Sequence, residues 1–225
     1  MSNRSFRDFL AVAEQQGLVR RVTKSVDASW EPASMIKWAF QALPEKDRFG
    51  LLFENVEGSE LSLCTGALGA SRASYSLALD CEPDQINPRW EEALVNPLKP
   101  AIVEKAACQE VVLMGDEAKL SDLPVPTWTP GKDPAPYITT TVMTKLVDSD
   151  NQNSGVYRTL VRDDHHVVVN MNPRRGGNDQ CETWWSQGKA APVAWVIGAD
   201  PAYQLASVAT MPTGMQEMEV AGGLM

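Results

Sequence analysis

Residues 121–136, SDLPVPTWTPGKDPAP, hold five prolines in a loop-like run with no repeat, just inside the point near residue 105 where the texture of the chain changes. After this run, Tyr137 to Val147, Val156 to Val161 and His166 to Met171 are rich in β-branched residues and are joined by polar turns. That composition predicts strands. A helix over 179–188, a strand from Val193 to Ile197 and a helix from Pro201 to Val208 follow. Val111 to Met114 reads as one more strand ahead of the prolines. Residues 106–225 are therefore expected to form a strand-rich unit.

Upstream, the pattern is different. Phe6, Phe9, Leu10 and Ala13 fall at helical spacing and Gly17 supplies a stop, so the chain opens on an amphipathic helix. Leu18 to Val22 reads as a short strand. Trp30 to Leu43 reads as a second helix, with Pro32 tolerated in its first turn. Leu51 to Phe53 and Leu61 to Cys64 are compact apolar runs, and helical patterns return over 71–81 and 88–96. Residues 1–105 thus read as a small α/β unit, and the fold class expected for the whole is α+β or α/β.

With 225 residues, 44% of them hydrophobic, the chain can bury a substantial core. Its 20 basic residues against 29 acidic ones give a formal charge of -9. Nucleic-acid binding relies on basic side chains neutralising phosphates, so no nucleic-acid partner is expected. No apolar run approaches the ~20 residues needed to span a bilayer, and the opening MSNRSFRDFLAVAEQQG lacks a signal-peptide core. Cys64, Cys81, Cys108 and Cys181 are scattered and read as buried free thiols. A soluble cytoplasmic protein is the expectation. Val220 to Met225 stays apolar to its last residue, which reads either as a frayed end or as a segment needing further protein; the second is expected.

Few residues announce chemistry by themselves. Asp163, Asp164, His165 and His166 could bind a metal, yet neighbours on an extended backbone point opposite ways, and an exposed hairpin turn is the preferred reading. Gly66-Ala67-Leu68-Gly69-Ala70 is not a dinucleotide fingerprint, and no GxSxG, P-loop or HExxH occurs.

Seven segments in order resemble the UbiD family of carboxy-lyases: RDFLAVAEQQGLVRRV (7–22), LLFENVEG (51–58), LPVPTWTPGKDPAPYIT (123–139), NSGVYR (153–158), RRGG (174–177), VAWVIGADPA (193–202) and MPTGMQEMEVAGGL (211–224). The resemblance implies an N-terminal α/β domain (1–105) followed by the first part of a flavin-reductase-like split β-barrel (106–225). It also implies non-oxidative decarboxylation, or the reverse reaction, of an aromatic, heteroaromatic or α,β-unsaturated acid. The implied cofactors are prenylated FMN, a divalent metal (manganese) and a monovalent cation such as potassium. A flavin prenyltransferase would supply the flavin, and a homo-oligomer or a completing partner chain is implied. Hard oxygen donors suit such cations.

Residue by residue, the resemblance implies Asn153 and Glu217 as metal ligands, with Glu219 a near alternative to the latter. Arg158 corresponds to the arginine that meets cofactor and substrate carboxylate, a task its planar guanidinium suits. Thr140, Gly155, Val156 and Tyr157, with Ala209, Thr210, Met211 and Pro212 from a later loop, fall where the family contacts its flavin. Two departures stand out. Arg174, or Arg175 under a one-residue shift, occupies the position of a metal-binding His; having no lone pair to offer a cation, it either pairs with the flavin phosphate or faces solvent. The family's EGP-x-G-E-type acidic motif does not occur in the sequence, so the proton-transfer carboxylates are expected from elsewhere. An active decarboxylase, a flavin-binding subunit and an inactive scaffold are the three readings carried forward.

Overall fold

The computed structural model describes residues 5–212 and 214–225. Helix α1 (Phe6–Gln15) starts at a reciprocal cap: Ser5 Oγ accepts the Asp8 N–H at 3.2 Å, and the Asp8 carboxylate accepts the Ser5 N–H at 3.0 Å. Gly17, at φ 73°, ends it and lets Leu18 N–H return to Ala13 O at 2.8 Å. Strand β1 (Val19–Val22), helix α2 (Glu31–Ala42) and strand β2 (Gly50–Phe53) form a parallel crossover, and β3 (Leu63–Thr65) adds antiparallel to β2. The apolar face of α2, through Ile36 and Ala39, packs with Phe49, Leu51 and Phe53, while Phe9 and Ala13 of α1 pack with Val19 and Ala67. Trp128, from the proline run, lies against the α2 cluster and donates its indole N–H to Tyr137 O at 2.8 Å. Helices α3 (Arg72–Leu79) and α4 (Ile86–Val95) complete this part.

Beyond it come β4 (Tyr137–Ile138), β5 (Thr141–Lys145), β6 (Gln152–Val156), β7 (Thr159–Val161), β8 (Val167–Val169), α5 (Gly176–Trp185), β9 (Val193–Val196), α6 (Pro201–Val208) and α7 (Glu217–Leu224). The strands form two antiparallel sheets, in orders β4-β7-β8 and β6-β5-β9. The fold is therefore α+β with three small open sheets, and no closed barrel occurs among the described residues.

Several expectations need correction. Val111–Met114 forms no strand: all four side chains are exposed, between 3₁₀ turns at Ala107–Gln109 and Gly115–Glu117. Val156 to Val161 is not one strand but the end of β6, a break at Tyr157 and Arg158, and then β7. The expected run Tyr137 to Val147 breaks likewise at Thr139 and Thr140. The register explains both breaks: Ile138 pairs with Thr159 and Thr141 with Val156, so one antiparallel ladder continues in register across a gap. The later helix begins at Gly176, three residues before the expected start. All four cysteines are free, but only Cys181 is buried and Cys108 is exposed.

The last helix joins the two parts of the chain. Val220 and Leu224 of α7 pack with Leu79, Ala93 of α4 and Ala202 of α6, and Leu98 N–H donates to Glu219 O at 2.9 Å. Gly222 and Gly223 permit this approach: a Cβ on Gly222 would collide with Leu98 O, and one on Gly223 would lie 2.9 Å from Asn96 O. A helical Gly→Ala change ordinarily gains up to ~1 kcal/mol. Here Gly223→Ala is expected to reverse that sign and lose about 1–3 kcal/mol through overpacking, as read from urea denaturation.

Candidate functional site

Strand β6 is an edge of its sheet, and outward-facing N–H groups on an edge need acceptors. The chain supplies them from the start of α7, more than sixty residues later. Gln216 Oε1 accepts the Gln152 N–H at 2.9 Å, and Glu217 Oε2 accepts the Ser154 N–H at 3.0 Å. Asn153 lies between these two bonds. It lines a cavity of about 400 Å³ with Gly176, Asp179, Gln216 and Glu217. Glu217, not Glu219, is in that lining, together with a second carboxylate, Asp179.

Helix α5 closes the other side. Thr144 Oγ1 donates to Gln180 Oε1 and Gln180 Nε2 donates to Asn151 Oδ1, both at 2.8 Å, which docks α5 on β5 and the turn before β6. Gly176, at its start, touches Asn153 so closely that a Cβ there would collide with the amide. Gly155 and Gly177 flank Tyr157: added Cβ atoms would lie 2.7 and 2.8 Å from its ring. Tyr157 OH accepts the Gly177 N–H at 2.9 Å.

The surroundings of the Asn153 amide fix its orientation: its oxygen lies 3.3 Å from Ser154 N, Gly177 N and Tyr157 OH. Such distances are at the weak end for hydrogen bonds, and both N–H groups already have better partners in Tyr157 OH and Glu217. The amide oxygen is therefore held only weakly.

Burial pushes the Glu217 carboxyl above the usual glutamate range, with the Ser154 N–H opposing that rise. Tyr203 is also pushed up, chiefly by burial; its bond to Ser154 opposes the shift and the nearby Glu217 charge adds to it. The Tyr203 hydroxyl lies 2.8 Å from Ser154 Oγ.

The other sequence-derived candidates have different surroundings. Thr139, Thr140, Tyr157 and Arg158 lie in the gap between the Ile138–Thr159 and Thr141–Val156 pairs. Thr140 Oγ1 is buried without a hydrogen-bond partner among the described residues. Arg158 is drawn aside: its guanidinium donates to Asp133 Oδ1 at 3.0 Å and lies 4.6 Å from the centroid of the Tyr137 ring. Val156 is exposed. Arg174 is exposed and left-handed (φ 65°), and Arg175 caps α5. Ala209 ends α6, Met211 packs into the apolar clusters beneath α6 and α7, and Thr210 and Pro212 are exposed; Thr213 of the same segment lies outside the described residues. Asp163–His166 is an exposed turn, with His166 Nδ1 2.7 Å from Asp163 Oδ1. Among the described residues no group of three or more His, Cys, Asp or Glu is arranged to hold a metal, and no helix is long and apolar enough to cross a membrane.

Sequence reasoning missed Gln216, Ser154, Tyr203 and Asp133. Gln216, Ser154 and Asp133 lie inside recognised segments and could have been suspected from their neighbours. No linear signal marks Tyr203, which sits in a helix that reads as core.

The raised Glu217 carboxyl has a thermodynamic consequence. The folded chain holds that proton to higher pH than the unfolded chain, so the linked stability is present below the ordinary glutamate value and is lost as pH rises through the raised one. Between about pH 4 and about pH 8, urea titrations are expected to show the wild type losing more stability than Glu217→Gln. Parallel curves would contradict this.

The family model described as the 3-octaprenyl-4-hydroxybenzoate carboxy-lyase N-terminal domain matches residues 10–94, and that for the Rift-related domain of the same family matches 101–225. The UbiD-class enzyme HmfF from Pelotomaculum thermopropionicum, in complex with FMN, is 29% identical over 99% of this chain with a TM-score of 0.87. An evolved dimeric form of HmfF in complex with prFMN gives 29% over 98% and 0.88. The apo 3,4-dihydroxybenzoic acid decarboxylase of Enterobacter cloacae gives 25% over 98% and 0.84. The matches cover 48%, 50% and 48% of those chains respectively, so this chain spans about half their length. Continuous agreement in sequence and fold makes the chain a member of the UbiD family of carboxy-lyases.

Proposed function

We propose that this chain forms the flavin-phosphate and metal end of a prenylated-FMN-dependent (de)carboxylase acting on an aromatic, heteroaromatic or α,β-unsaturated acid. The observation that carries this reading is the shared cavity of Asn153 and Glu217, distant in sequence and held together by the docking of α7 on β6. The donor set fits a hard divalent cation such as manganese: the weakly held amide oxygen of Asn153 and the Glu217 carboxylate oxygen that Ser154 does not hold belong to the lining of one cavity. Potassium is the monovalent cation proposed beside it. The unpartnered Thr140 hydroxyl fits a cofactor edge entering the ladder gap.

The chemistry that the prenylated flavin supplies when bound is an electron sink for loss of carbon dioxide from an unsaturated carbon. The chain's own residues bind and orient. Asn153 and Glu217 hold the cation, and Arg174 neutralises phosphate from the exposed turn before α5. Gly155, Val156 and Tyr157, with Ala209, Thr210, Met211 and Pro212, contact the flavin largely through backbone. Arg158, once released from Asp133, holds the carboxylate of the acid in a bidentate pair. Residues 1–105 and 106–225 are proposed as separate domains, and the protein is proposed to act in the cytoplasm with flavin supplied by a prenyltransferase.

A second reading is favoured by Arg174, which stands where a metal-binding His is implied and has no lone pair to offer a cation. On that reading the chain is a flavin-binding part, catalytic only in a homo-oligomer or with a completing partner chain, or an inactive scaffold.

Co-expression with a flavin prenyltransferase, followed by absorbance spectroscopy and metal analysis, tests both. The wild-type chain is expected to retain flavin and manganese. Asn153→Ala and Glu217→Gln are each expected to weaken metal binding about tenfold or more, equivalent to ~1.4 kcal/mol. Bound flavin without release of carbon dioxide from a panel of acids selects the second reading. Protein free of both flavin and metal overturns the first.

A further inference from the structure

Ser154 is held from two sides. Its N–H donates to Glu217 Oε2 at 3.0 Å, while its hydroxyl lies 2.8 Å from that of Tyr203 on α6. Ser154 is 2% exposed and Tyr203 is 8% exposed. Around the tyrosine are Ala199, Ala206, Ala221, Trp90 and Met143, a lining that offers the two hydroxyls few other partners. A buried hydroxyl left unpaired costs free energy, so the pair constrains both residues. The start of α6 is itself fixed, because Asp200 Oδ1 accepts the N–H groups of Ala202 at 2.8 Å and Tyr203 at 3.4 Å.

We infer that Tyr203 is the positioning residue for Glu217: through the Ser154 hydroxyl it fixes the β6 backbone whose N–H aims the Glu217 carboxylate at the cavity. The inference rests on the proposed cation-binding role of Glu217. Removing the hydroxyl while keeping the ring, as in Tyr203→Phe, leaves Ser154 Oγ without its partner and frees the serine to rotate. Glu217 then loses the fixed direction of its hydrogen bond, although its own side chain is untouched.

The fold contains an internal control. One turn further along α6, Ser207 Oγ lies 2.8 Å from Thr141 Oγ1 in a second buried hydroxyl pair and donates to Gln204 O at 2.8 Å. This pair also ties α6 to the sheet, but through Thr141 of β5 and not through Ser154, whose N–H holds Glu217. A purely structural role for Tyr203 would make Ser207→Ala and Tyr203→Phe behave alike. A positioning role separates them.

The experiment measures two quantities on the 225-residue chain, the amide proton shift of Ser154 by NMR and the dissociation constant for Mn²⁺ alone. Tyr203→Phe is expected to move the Ser154 amide upfield, in the same direction as Glu217→Gln, and Ser207→Ala to leave it in place. Mn²⁺ binding is expected to weaken about tenfold in Tyr203→Phe and to stay within about twofold in Ser207→Ala. Ser154→Ala, which removes the same hydroxyl pair from the other side, is expected to weaken Mn²⁺ binding as Tyr203→Phe does, and it serves if that variant folds poorly. An unchanged Ser154 amide in Tyr203→Phe, or equal effects in Tyr203→Phe and Ser207→Ala, overturns the inference. A wild-type chain that binds no Mn²⁺ overturns the cation-binding role of Glu217, while the amide comparison still decides whether Tyr203 sets the Ser154–Glu217 bond.

Discussion

An edge strand must find acceptors for its outward N–H groups or leave them to solvent, and β6 finds them in the side chains of Gln216 and Glu217. Much of the second half of the chain is organised by this docking. It brings the start of α7 against β6, fixes one oxygen of Glu217 and directs the other towards the space that Asn153 enters. Part of the carboxylate's hydration is exchanged for a backbone N–H, but burial outweighs that bond and raises its proton affinity. A carboxylate held in this way is costly for folding.

The same economy of close contact governs the opposite wall. Gly155, Gly176 and Gly177 leave room for the Tyr157 ring and the Asn153 amide. The hairpin carrying these residues loses its ladder bonds at Thr139, Thr140, Tyr157 and Arg158, and regains its register beyond. A gap of this kind exposes backbone and side-chain polar groups without breaking the strand alignment, and the unpartnered Thr140 hydroxyl sits in it. Arg158 leaves the gap sideways, held by an ion pair with Asp133, whose side chain is 11% exposed, and by the face of Tyr137.

The N-terminal part contributes to the site without lining its cavity. Helix α4 and the segment after it pack on α7 through Gly222 and Gly223, and the Leu98–Glu219 bond sets how far α7 slides. The position of Glu217 thus depends on residues more than a hundred positions away. Val220, Ala221 and Leu224 are all buried, whereas Met225 is 43% exposed.

The sequence by itself determined the secondary structure wherever burial is periodic. Helix α1 with its stop at Gly17, β1, α2 and the limits of α6 were all legible, because side chains repeating every 3.6 or 2 residues report which face is covered. It failed at Val111–Met114, where β-branched residues met no partner strand, and at the ladder gap, where strand-forming composition continues through unpaired residues. Motif resemblance made Asn153 and Glu217 candidates, but only tertiary structure decided that they line one cavity, that Arg158 rests on Asp133 and that Tyr203 grips Ser154. These contacts join residues from 25 to 63 positions apart. Their existence depends on how helices and sheets pack together, and local sequence periodicity carries no record of that packing.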